Sequence, residues 1–169
     1  MSLKSDLAKL DKKALIEIIA DLAKKNKAVQ EYLSFYFKPD EDGLFEKYKT
    51  KVYEAFFPKR GLGYSLKQGK RAITDFKKLS PSQDIIADLM LFYVETGVDF
   101  TNEFGDIDEA FYSSLESAFA AALKLMRKEG VLDKFEERAT MLIKNTEDIG
   151  WGFHDIICET FYEFYEQRS

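Results

Sequence analysis

The densest group of residues able to hold a charged ligand lies between Lys59 and Arg71, where Lys59-Arg60-Gly61-Leu62-Gly63-Tyr64-Ser65 is followed by Lys67, Lys70 and Arg71. A glycine-containing loop exposes backbone N–H groups, and a helix starting after Ser65 adds the partial positive charge of its N-terminus. Arg and Lys then supply forked and mobile donors for phosphate oxygens. Tyr64 is placed to stack on a base. The spacing matches neither a P-loop nor a dinucleotide fingerprint, so the chemistry implied is anion or partner binding, with no nucleotide motif behind it. The competing reading of the same residues is a solvated basic face that pairs with the protein's own acidic half.

Two further groups are weaker. His154 and Cys158 stand four apart, at a spacing that suits two metal ligands or a base and a nucleophile, but no second histidine exists to complete a site. A histidine near a helix start and a cysteine packed as a small apolar group account for them. Asp99, Glu103, Asp106, Asp108 and Glu109 crowd one turn without the ligand spacing of an EF-hand, and helix capping accounts for Asp106 and Glu109. No catalytic constellation, metal site or cofactor motif emerges, so none is expected, and an enzymatic role has no support in the sequence.

The elements that must position these residues belong to a globular chain. In 169 residues, 46% hydrophobic side chains and 15% aromatic ones suffice for a real core within one domain. No uncharged apolar run approaches the roughly 18 residues of a membrane span, and the opening residues lack a signal-like apolar core. With Cys158 alone, neither an intrachain disulfide nor a cysteine-based zinc site can form. A cytoplasmic protein is expected. The net charge of −5 hides a division: residues 47–78 carry 10 basic and 2 acidic side chains, whereas residues 79–169 carry 7 and 19.

Helical periodicity runs throughout. Asp11 caps a helix with Leu15, Ile18, Ile19 and Leu22 on one face, Asn26 closes it, and Val29, Leu33 and Phe37 continue in a second helix that turns back along the first. A third helix spans about 44–57, and Ser65 caps a fourth that carries the basic stripe. Ser80-Pro81-Ser82-Gln83 reads as a capping box for a central helix through Phe104. That helix is apolar almost all round, with Asp84, Asp88, Glu95 and Asp99 on one narrow stripe, so it must be wrapped by neighbours. Three more helices follow, one after Asp106, one around Leu132 to Ile143 and one around Phe153 to Glu166. No alternation of period two persists. The expected fold is all-α, about eight helices in an irregular α-α superhelix. It is a single domain over 1–169, made of an αα-hairpin over 1–39, a basic helix-loop-helix over 44–79 and core helices over 80–169.

Several segments, in order, carry a resemblance: "LIEIIADLAKKNKAVQEYLSF", "AFFPKRG" before a Lys/Arg-rich helix, "IADLMLFYVETGVDF", and "AFYSSLESAFAAALKLM" with "GVLDKFEER". Together they resemble a family of uncharacterised bacterial proteins, domain of unknown function 6155. The N-terminal hairpin and "DIGWGFHD" are more loosely similar to units of helical-repeat proteins. The resemblance implies an all-helical fold and brings no activity or catalytic residues. The function expected is therefore a non-enzymatic protein–protein interaction module. The alternative is binding of nucleic acid or another phosphate-bearing polyanion through residues 47–78, and no membrane partner is expected.

Overall fold

The computed structural model describes residues 2–61 and 63–166. Among them are nine α-helices and no strand, so the fold is all-α. The chain divides into two compact units, Met1–Asp40 and Glu41–Ser169.

The first unit holds α1 (Leu3–Leu7), α2 (Lys12–Lys25) and α3 (Lys27–Phe37). Asp11 accepts a hydrogen bond from the Ala14 N–H at 2.7 Å and caps α2. Asn26 closes α2 as its position suggests, but its backbone is extended and its side chain accepts from the N–H groups of Ala28 and Val29, so it also starts α3. One residue thus serves as the whole turn, because an Asn side chain satisfies orphan donors as well as it tolerates a left-handed cap. None of these three helices has a buried residue.

The second unit is built on α6 (Gln83–Phe104), with α4 (Glu41–Phe56), α5 (Leu66–Lys78), α7 (Glu109–Lys128) and α8 (Leu132–Lys144) against it and α9 (Phe153–Tyr165) on α7 and α8. As its apolar circumference requires, α6 buries residues on several sides, from Ile86 and Leu89 to Val98 and Phe100. Phe56 packs near Tyr93, Phe100 and Phe111, and the Tyr93 hydroxyl meets Ser114 Oγ at 2.9 Å, which satisfies two polar groups inside the core. Two glycines allow the closest approaches. A Cβ on Gly97 would lie 2.5 Å from Leu115 Cδ2, and one on Gly69 2.6 Å from Tyr93 Cε2.

Three helix ends are closed by partners other than those the local sequence suggests. Ser80 has φ 59°, and α6 starts at Ser82, whose side chain makes no cap bond within its own helix. Instead its N–H and hydroxyl both donate to the Glu41 carboxylate, at 2.6 and 2.8 Å. Asp108, not Asp106, caps α7 through the Phe111 N–H at 2.8 Å. Asp106 accepts from the Tyr112 hydroxyl at 2.8 Å and from the Gly150 N–H at 3.3 Å, tying the turn before α7 to the one before α9. Arg127, in the last turn of α7, donates to the carbonyls of Glu163 and Phe164 near the end of α9 and stacks on the Phe164 ring. A cation thereby closes a neighbouring helix's negative end.

Candidate functional site

The five basic residues singled out in the sequence are all exposed. Lys67, Lys70 and Arg71 share the outer side of α5, opposite the buried Gly69, Ala72, Ile73 and Phe76. Arg71 reaches Asp75 at 3.6 Å on its own helix. Lys59 turns away from this group toward α4, where it pairs with Glu54 at 2.5 Å. There it lines a groove of about 280 Å³ with Tyr53, Phe57 and Phe92. That groove also holds Glu46 and Glu54 opposite Lys49 and Lys59, so its charge is balanced. Gly61 and Gly63 sit at φ 91° and 90°, a region that favours glycine, and Leu62 lies outside the described residues.

Tyr64 does not face a ligand. Its half-buried ring packs edge-on against Phe111 at 4.9 Å and Phe100 at 5.3 Å, and desolvation, with the charge of Asp108, raises its pKa. A ring that completes an aromatic core is not available to stack on a base. Ser65 caps α5 through the Gln68 N–H, as its position suggests.

Lys49, Lys59, Arg71 and Lys78 pair locally, with Glu46, Glu54 and Asp75. The acidic stripe on α6 has partners of its own on α8. Lys134 meets Asp84 at 3.0 Å, and Arg138 bridges Asp88 and Glu95. Burial opposes the charge on Arg138, but its hydrogen bonds to Glu95 and Asp88 outweigh that and raise its pKa. The pKa of Asp84 is lowered by the neighbouring Ser82 side chain and by Lys134, whose ammonium donates to it at 3.0 Å. This cluster went unread in the sequence, although Lys134 and Arg138 repeat at four and match the spacing of Asp84 and Asp88.

His154 and Cys158 form a short chain with a third group. Thr146 Oγ1 donates to the Ile143 carbonyl at 2.7 Å and lies 2.8 Å from His154 Nδ1, and His154 Nε2 lies 3.5 Å from Cys158 Sγ. Burial, then the charges of Asp155 and Glu147, push the thiol pKa up, which disfavours the thiolate a nucleophile needs. The histidine thus satisfies the fully buried Thr146. Among the described residues no three His, Cys, Asp or Glu side chains are grouped to hold a metal ion, and no helix is long and apolar enough to cross a membrane.

The exposed apolar residues were not foreseen. Of the fifteen large hydrophobic side chains exposed among the described residues, nine lie in the first unit, including Ile16 at 56%, Ile19 at 47%, Leu22 at 48% and Phe37 at 73%. Of the face of α2 that periodicity identified, Ile18, Ile19 and Leu22 are exposed and Leu15 is half-buried.

The model for the family of unknown function DUF6155 matches residues 1–165. The chain belongs to that family. No curated protein and no solved structure matches this DUF6155 chain.

Proposed function

We propose that this DUF6155 protein is a non-enzymatic interaction module of the cytoplasm that docks another protein through the apolar face of α2 and α3. The observation that carries this reading is the concentration of exposed large apolar side chains in Met1–Asp40, a unit without a single buried residue among those described. Helices of 14 and 11 residues are marginal alone, and their stability comes from covering an apolar face. Covering the exposed half of Ile16, Ile19 and Leu22 contributes about 1 kcal/mol each, enough to make a partner worth several kcal/mol with the aromatic residues of α3. Concentrations of this kind mark protein interaction surfaces.

The test is recovery of partners from native lysate, with nuclease present, by the tagged wild-type chain and by an Ile16→Asp/Ile19→Asp/Leu22→Asp variant. A stoichiometric protein retained by the wild type and lost by the variant supports the reading. An identical set on both sinks it.

Polyanion binding is kept as a second reading by one observation: Arg60, Lys67 and Lys70 are exposed and have no carboxylate partner among the described residues. It calls for nucleic acid in the recovered material, affinity that falls steeply with salt, and loss on charge reversal at Lys67, Lys70 and Arg71.

A further inference from the structure

On the second unit, apart from the basic loop and helix described above, a groove of about 410 Å³ runs between α6 and α7 and ends at the last turn of α5. Its floor is aliphatic, with Ile86 and Met90, both largely buried, one turn apart on α6 and half-buried Leu125 on α7, and its rim carries Lys77, Lys124 and Lys128. No acidic side chain lines it. Lys128 reaches Glu129 on its own side of the groove at 3.1 Å, whereas Lys77 and Lys124 have no carboxylate partner among the described residues. Desolvation lowers the pKa of Lys77, so this rim holds a cation at some cost that an incoming anion would relieve.

The chemistry of floor and rim selects the occupant. No aromatic ring lies in the floor, so bases find no stacking platform there. The groove is open along its length, which suits the side chains of a helix laid across it better than an enclosed alkyl chain. Lys124 and Lys128 are four residues apart, about 6 Å along the axis, the same repeat at which a helix presents residues i and i+4. A thioether adapts to varied apolar anchors. We infer that this groove docks an acidic amphipathic helix of a partner protein, its apolar side chains on Ile86, Met90 and Leu125 and its carboxylates one turn apart against Lys124 and Lys128. This site is separate from the apolar face of α2 and α3 and does not depend on it.

The test is selection of helical peptides from a displayed random library on the full-length chain, followed by titration of the enriched peptides into protein carrying ¹³C-methyl methionine. The expected peptides place Asp or Glu at i and i+4 beside Leu, Ile or Met. They shift the Met90 methyl while the fully buried Met126 and the exposed Met141 stay in place. Lys124→Glu/Lys128→Glu, at two exposed positions, weakens them by about tenfold or more. Ile16→Asp/Ile19→Asp/Leu22→Asp binds them as the wild type does, which separates this site from the first. The inference is overturned if no peptide is enriched or if the enriched ones lack acidic residues. It is equally overturned if Met90 does not move, if the lysine variant binds undiminished, or if dodecanoate or a single-stranded oligonucleotide moves Met90 in preference to the peptides.

Discussion

Arg138 grips Glu95 with two donors across the α6–α8 interface, Nε to Oε1 at 3.0 Å and Nη2 to Oε2 at 2.7 Å, and its remaining nitrogen, Nη1, takes Asp88 at 2.6 Å. The guanidinium fork fits this arrangement and an ammonium does not. Arg138→Met leaves two carboxylates without their counter-charge at the edge of the core. Loss of a fully buried partner costs about 3–5 kcal/mol, and with the arginine side chain 37% exposed the expectation is nearer 2 kcal/mol. Urea unfolding measures it. The triple change Asp88→Asn/Glu95→Gln/Arg138→Met should recover most of the loss, and no recovery would mean that packing, not charge, holds α8 in place.

Glu41 accepts two hydrogen bonds from Ser82 and so anchors the N-cap residue of α6. Glu41→Ala should therefore destabilise by about 1–2 kcal/mol, the cost of a lost N-cap. Glu41→Gln, which keeps one acceptor, should lose less. Equal losses from the two would show that the charge alone mattered.

Gly69→Ala and Gly97→Ala insert a methyl against the Tyr93 ring and the Leu115 side chain, both fully buried. Overpacking of this kind costs about 1–3 kcal/mol, and thermal unfolding of each variant reads it. Gly61→Ala fills open space, so any cost there comes from its positive φ alone.

Asp99 has its pKa raised by desolvation and by the charge of Glu95. A carboxyl whose folded pKa lies above its unfolded one destabilises the fold where it is ionised, and that penalty vanishes as pH falls below the unfolded pKa. Asp99→Asn is expected to be more stable than the wild type at neutral pH and to lose this advantage on acidification. Asp84 has the opposite sign. Its lowered pKa contributes stability that is present above the unfolded value and is lost as pH falls through the folded one, so Asp84→Asn flattens the acid side of the profile. Denaturant unfolding across pH follows both.

The sequence showed the helices well, because their apolar spacing and the caps Asp11 and Ser65 act within one turn of themselves. It failed where the partner is remote. The stripe Asp84, Asp88, Glu95 and Asp99 was visible, but Lys134 and Arg138 are more than forty residues away and only packing brings them opposite. Ser80 to Gln83 mimicked a capping box, yet Ser82 is anchored by a carboxylate forty-one residues earlier. Tyr64 looked available because a loop residue gives no sign that a core ring waits beneath it. The exposure of Ile16, Ile19 and Leu22 was hidden for the converse reason: an apolar stripe reads the same whether the chain covers it or leaves it for a partner.

Site-specific photo-crosslinking reads out whether α2 and α3 hold another protein, as proposed. A photoreactive side chain replaces Ile19 in one chain, Phe37 in a second and the exposed Lys144 of α8 in a third, each irradiated in nuclease-treated native lysate. One discrete protein adduct is expected, shared by the Ile19 and Phe37 chains and absent from the Lys144 chain. No adduct at Ile19 or Phe37, or the same adduct from all three positions, would contradict the proposal.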